Sequence, residues 1–409
     1  MKKVALVASL AVALAVFAFP PKSAAQTLGT VTGSTPESCG VRNFASGMSC
    51  QGATLTGCPG DDDLQFVYGV KNPSGVPKGT IVWLPGGSGG LAANSTSEIA
   101  YVNSYVSAGY QVVQIAWGPN IRGERGTGIP WENTNVDSSN NAFSIRNAAC
   151  RPASFLNWVR NGGLVWTGGG MCVQGTSAGS AAVSYALAWY NAGAATAENG
   201  QGYLDKAVLE NGPPFSDIQR GCEISSNGAN GQSTLICQPG QKQAGCEGWT
   251  THQTPPGYSL EYVPVDANLV EEWTGGTTVT GPACGNNSQQ TTYNQQWLQQ
   301  SAVDFTSPQQ PSFNYPHTAL SGWLCESFKP GIIRTNVETQ GELFYLQFAS
   351  PQQAGNSLTI NAISGCPGAE GVDAGVPPSY THVKTGQQAI INDMIDPVNG
   401  CIARHSLHQ

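Results

Sequence analysis

Apolar and polar positions along this chain alternate between two regimes. Short apolar runs recur at Leu64–Val70, Thr80–Leu84, Tyr110–Trp117, Met171–Gln174 and Lys206–Glu210, each short enough for a buried strand. Between them lie stretches of helical period at 97–108, at 143–160 and from Ser180 through Tyr190. In 143–160 the period sets Phe155, Leu156 and Val159 inward and Arg146, Arg151 and Arg160 outward, while the run after Ser180 is Ala-rich and free of proline. Strand and helix alternating in this way predict an α/β fold with a doubly wound, mostly parallel sheet.

The pattern fails from about 215 to 312. Gly, Gln and Asn clusters replace it, with Trp249, Trp273 and Trp297 scattered among them and helical signal mainly at 266–273 and 292–304. A structureless run of that length is improbable inside a compact domain, so 215–314 is expected to be a disulfide-stapled insertion forming a lid over the sheet edge. The alternation then resumes with a strand at Thr318–Cys325, a helix at 337–349, a strand at Leu358–Ile363, and a last helix that ends near Ile395. The expected core is therefore 61–214 with 315–409. Residues 26–60, rich in Gly, Ser and Thr with three cysteines, read as an irregular, disulfide-pinned N-terminal segment. Asp61-Asp62-Asp63 lacks an EF-hand spacing and reads as a solvated turn.

The first 25 residues change the picture. Met1-Lys2-Lys3, an apolar run from Val4 to Phe19 and the small residues Ser23-Ala24-Ala25 have the form of a secretory signal, and no later segment is long and apolar enough to span a membrane. Twelve cysteines, none in a C-x-x-C or Cys/His zinc spacing, suit an oxidising compartment. Cys39 with Cys50 or Cys58, and Cys222 with Cys237 or Cys246, are close enough in sequence for local disulfides. Removing Lys2, Lys3 and Lys22 with the leader leaves 15 basic residues against 26 acidic ones, so the formal charge moves from −8 to −11. That balance disfavours nucleic acid as a partner. Forty per cent hydrophobic residues and ten tryptophans are enough to fill a core, which excludes a disordered chain.

Candidate chemistry centres on Gly175-Thr176-Ser177-Ala178-Gly179, a G-x-S-x-G match. In such an elbow a strand turns sharply into a helix and holds the serine hydroxyl exposed, with glycines two before and two after where strand and helix approach closely. Five residues match easily in a chain with 51 glycines, and a small-residue turn would read the same way. The flanking strand and helix are what raise the match above that. Pro85-Gly86-Gly87-Ser88-Gly89-Gly90 follows the Thr80–Leu84 strand, where an elbow hydrolase places its second oxyanion donor.

A serine nucleophile needs a base, usually His steadied by a carboxylate. Of five histidines, His405 and His408 lie in a tail, His252 lies in the insertion and His317 precedes a strand. His382 alone follows the last strand and precedes the last helix. For the acid, Glu326 directly follows the strand Thr318–Cys325; Glu210 ends the strand after the elbow helix and competes with it; Asp373 lies in a loop.

With these residues in place, the chain resembles the α/β-hydrolases, in particular the secreted, disulfide-bearing esterases, lipases and polyester depolymerases, over about 78–214 and 315–398. Two departures are Pro85 where many esterases carry His, and Glu as the acid where Asp is commoner. The resemblance implies a serine carboxylic ester hydrolase with Ser177, His382 and Glu326 (or Glu210) as triad, and Ala178 with Gly87 or Ser88 as oxyanion donors. It implies no metal and no organic cofactor. The neutral, Trp-bearing insertion is compatible with an apolar, aromatic or carbohydrate-linked ester. A serine peptidase or amidase on the same scaffold and a non-catalytic extracellular binding protein are the alternatives.

Overall fold

The computed structural model describes residues 27–42, 44–58, 63–86, 96–118, 145–162, 164, 169–176, 178–193, 203–210, 259–262, 302, 318–326, 332–335, 358–364 and 380–406. Nine strands form one sheet in the order β1-β2-β3-β5-β4-β6-β7-β9-β11. They are β1 (Thr30–Glu37), β2 (Ser49–Thr56), β3 (Leu64–Lys71), β4 (Gly79–Leu84), β5 (Gln111–Trp117), β6 (Gly170–Thr176), β7 (Lys206–Glu210), β9 (Ala319–Glu326) and β11 (Leu358–Ser364). Pairings from β5 through β11 are parallel, while β1, β2 and β3 join antiparallel at the other end. The expected α/β, mostly parallel, doubly wound sheet is thus a mixed one. The segment 26–60 is a correction. It holds the disulfide Cys39–Cys50, but also two sheet strands, β1 and β2. The many glycines hid β-branched Thr and Val residues that pair along an exposed edge.

Side chains alternate across the sheet with the strand period of two. Val82, Val113, Val173, Ala207 and Leu209 face α3 (Cys150–Asn161) and α4 (Ala178–Tyr190). Ile81, Val112, Cys172, Val208 and Trp323 face α1 (Thr96–Ser107), α5 (Tyr380–Ile395) and α6 (Cys401–Ser406). All thirteen residues of α4 are buried, as befits a helix apolar all round. A short helix, α2 (Ile145–Ala148), precedes α3. Arg151, expected outside, is buried at 2% exposure near the start of α3, where the helix packs under β1 and β2, strands the pattern did not reveal. Phe66, Trp117 and Phe155 meet at centroid distances of 5.4–6.0 Å and weld β3 and β5 to α3.

Three disulfides occur among the described residues. Besides Cys39–Cys50 they are Cys58–Cys150, joining the end of β2 to α3, and Cys172–Cys401, joining β6 to α6 across 229 residues. The tail containing His405 is therefore helical and tied to the central strand; His408 lies outside the described residues. Lys206, the first residue of β7, is 2% exposed and forms an ion pair with Asp393 of α5. It also donates to the Asp393 carbonyl at 2.7 Å and the Asn399 carbonyl at 3.2 Å, and Trp323 of β9 donates to the other Asp393 oxygen at 3.0 Å.

Most of the expected insertion 215–314, its pairs among Cys222, Cys237 and Cys246, and the helix expected at 337–349 lie outside the described residues. Inside the insertion a strand, β8 (Ser259–Tyr262), pairs in parallel with β10 (Ile332–Thr335), forming a second, two-stranded sheet. Neither strand was evident in the pattern, since four residues are too few to show a period.

Candidate active site

The strand order reverses at β4. From β4 the chain passes to β5 on one side, and returns to place β6 on the other. In open α/β sheets such a switch leaves a crevice outside the carboxyl ends of the two strands, where ligands bind. The segment after Leu84 and the turn after Thr176 flank this crevice, with Leu84 level with Gly175.

The turn itself is a single residue. β6 ends at Thr176 and α4 begins at Ala178, so only position 177 separates strand from helix. Ser177 lies outside the described residues; its two neighbours define the elbow. A Cβ added at Gly175 would lie 2.3 Å from the carbonyl oxygen of Gly179, and one added at Gly179 would lie 2.3 Å from the carbonyl oxygen of Leu84. Both clashes are with backbone, so no rotamer relieves them. The first turn of α4 thus packs against the end of β4, where the Pro85–Gly90 segment starts. Pro85 and Gly86 are described; Gly87 and Ser88 are not. Gly179→Ala is expected to separate α4 from β4, costing about 1–3 kcal/mol of stability. Thermal melts of the variant beside wild type check this, and an unchanged midpoint would mean the contact is dispensable.

The amino end of α4 sits at position 177. A thirteen-residue helix carries a partial positive charge at that end, which stabilises a developing anion. Ser180, in the first turn, donates to the Gly175 carbonyl at 2.6 Å and accepts from the Glu210 N–H at 3.0 Å. It stitches helix, strand and the neighbouring β7 together.

Glu210, the last residue of β7, is level with Thr176 in the parallel register. Its carboxylate accepts from the Tyr101 hydroxyl at 3.1 Å, the Gln174 amide at 3.0 Å and the Thr176 hydroxyl at 2.9 Å. Burial pushes this carboxyl above its ordinary value, while the bonds from Thr176, Gln174 and Tyr101 pull it back. Tyr105 donates to the carbonyl oxygen of the Gln174 side chain, which turns the amide nitrogen toward Glu210. Burial, and next the charge of Glu210, raise both tyrosines well above 10.0, so they remain donors. This network escaped the sequence reading. Gln174, a long amide in the middle of an apolar strand and 0% exposed, was its one legible sign.

Glu326 is the last residue of β9, and His382 is the third residue of α5, in its first turn. Only the backbone of each is described. The helix begins at Tyr380, so His382 does not precede it as expected. The reason is that Thr381–Lys384 continues the helical run without a breaker. Further along α5, Asp393 is held by Lys206 at the start of β7 and by Trp323, the β9 residue level with Glu210. α5 lies on the sheet face that also carries α1. Among the described residues no group of His, Cys, Asp or Glu could hold a metal ion.

No family model matches the chain, and no curated protein matches its sequence. Solved structures to which it is similar include esterases and a lipase. Acetyl xylan esterase 1 from Thermoanaerobacterium sp. is 13% identical over 90% of this chain and 88% of its own, with a TM-score of 0.46. A thermostable carboxyl esterase from Bacillus coagulans is 13% identical over 85% and 97%, with a TM-score of 0.39. Carboxyl esterase 2 from the fungus Tuber melanosporum is 11% identical over 88% and 91%, with a TM-score of 0.42. What can be inferred for this chain rests on its own elbow and sheet edge.

Proposed function

We propose that this chain is a secreted serine hydrolase that cleaves carboxylic esters through an acyl-enzyme. The observation that carries this reading is the single-residue turn from β6 into α4 at the switch point, with glycine required on both sides of Ser177. His382 takes the proton from Ser177 as its oxygen attacks the ester carbonyl. The N–H of Ala178 and one from Gly87 or Ser88 hold the oxyanion, supported by the amino end of α4. Glu326 steadies the imidazolium, which protonates the leaving alcohol. Water then attacks the acyl-enzyme, giving its proton to His382, and the acid departs. The α/β-hydrolase core is 61–214 with 315–409, and 215–314 serves as its lid. Export is supported by the leader-like residues 1–25 and by the disulfides. No helix of the described residues is long and apolar enough to cross a membrane.

The test is labelling of the secreted, oxidised protein with a fluorophosphonate probe, followed by peptide mapping. p-Nitrophenyl esters of short and long acyl chains, and an acyl-peptide amide, are assayed beside it. Label on Ser177 with ester turnover is expected. Label with amide but no ester preference would make the chain a peptidase. Absence of label on folded protein would leave an extracellular binding protein.

A further inference from the structure

We infer that Glu210 braces the elbow and that the carboxylate orienting His382 is Glu326, an assignment that rests on the serine-hydrolase reading above. A triad acid must present an oxygen to the imidazole N–H. The Glu210 carboxylate is already committed: Tyr101 donates to Oε1, and both Gln174 and Thr176 donate to Oε2. Three of about four acceptor positions are filled by protein donors. Two of those donors stand on β6, and Thr176 immediately precedes Ser177. The third comes from α1.

The backbone of Glu210 serves the same end. Its N–H donates to Ser180 Oγ at 3.0 Å, and that hydroxyl in turn donates to the Gly175 carbonyl at 2.6 Å. One residue therefore grips the strand side of the elbow through Thr176 and Gln174, and the helix side through Ser180. Tyr105, fixing the Gln174 amide, extends the brace into α1. A group held on this many sides keeps position 177 in register and is poorly placed to follow an imidazole through its protonation cycle.

Glu326 is placed differently. Trp323 is the β9 residue level with Glu210, and Glu326 lies three residues further on. It stands about 10 Å farther along the strand direction, beyond the edge of β7, and β11 ends beside it, with Ser364 its register partner. The segment leading to His382 leaves from that point. The topology thus brings Glu326 and the carboxyl end of β11, the last strand before α5, to the same corner of the sheet.

The experiment compares Glu210→Gln, Glu326→Gln and Tyr101→Phe in the full mature chain with wild type. It reads kcat and KM on a p-nitrophenyl ester, the pH profile of kcat/KM and the rate of fluorophosphonate labelling. Glu326→Gln should lower kcat by about 10⁴-fold and displace the imidazole limb of the profile, as loss of a triad acid does. Glu210→Gln should lower kcat and labelling rate together by about 10- to 100-fold through misplacement of the nucleophile, with KM and the imidazole limb unmoved. Tyr101→Phe deletes one donor with little loss of packing and should show the same signature more weakly. It carries the test if Glu210→Gln does not fold.

A 10⁴-fold loss and a displaced limb in Glu210→Gln, with Glu326→Gln near wild type, would make Glu210 the orienting acid. Wild-type kcat and labelling in Glu210→Gln, or in Tyr101→Phe if that variant alone is obtained, would remove the brace. Failure of the wild-type protein to label is a separate result, and overturns the serine-hydrolase reading itself.

Discussion

Ser177→Ala is expected to reduce ester turnover by about 10⁶-fold while leaving the thermal midpoint close to that of wild type. The residual rate comes from the oxyanion donors and substrate binding, which the substitution leaves in place. The expectation follows from the turn between Thr176 and Ala178. Strand and helix are fastened on either side by Gly175, Gly179 and the Ser180 hydroxyl, contacts that the substitution leaves in place. Removing one hydroxyl should cost chemistry and almost no stability. Steady-state kinetics with a p-nitrophenyl ester and a melting curve on the same preparation decide it. Turnover within tenfold of wild type would mean that Ser177 is not the nucleophile. A large drop in melting temperature would mean that the residue is structural.

Asp393→Ala is expected to destabilise the protein by about 3–5 kcal/mol, because it strands the ammonium of Lys206 in a site where that side chain is only 2% exposed. Against a total stability of about 5–15 kcal/mol, this is a large share. Trp323 loses its acceptor at the same time. Replacing both partners with apolar residues, Lys206→Met with Asp393→Leu, should cost less than Asp393→Ala alone, since no buried charge is then left without its partner. Urea unfolding of the three proteins tests this, and a loss below 1 kcal/mol in Asp393→Ala would show that the pair contributes little. Because α5 carries His382 in its first turn, the single variant should also lose turnover beyond what its folded fraction explains. The anchoring sits at the opposite end of the helix from the proposed base.

How much of this could be read from the chain depended on the range over which each signal acts. The strand at Lys206–Glu210 is bounded alike in sequence and structure, because apolar residues between loop residues leave few other solutions. The elbow was legible for a steric reason. Glycine at 175 and 179 is demanded by backbone contacts, one of them with Gly179 itself, only four residues away. The pairing of Cys172 with Cys401 was not legible, nor was that of Cys58 with Cys150, since nothing near either cysteine names its partner. β1 and β2 were missed because an exposed strand at a sheet edge needs no continuous apolar run.

The amino-acid sequence by itself determined the alternation of strands and helices and the elbow with its glycines, both of which arise from period and local sterics. Whether Glu210 or Glu326 faces the base lay beyond it. Both are glutamates at the end of a strand, and nothing in the residues around either one separates them. Only the tertiary structure decided that Tyr101, Gln174 and Thr176 converge on Glu210. Those contacts join residues 34 to 109 positions apart, and no local pattern encodes such a meeting.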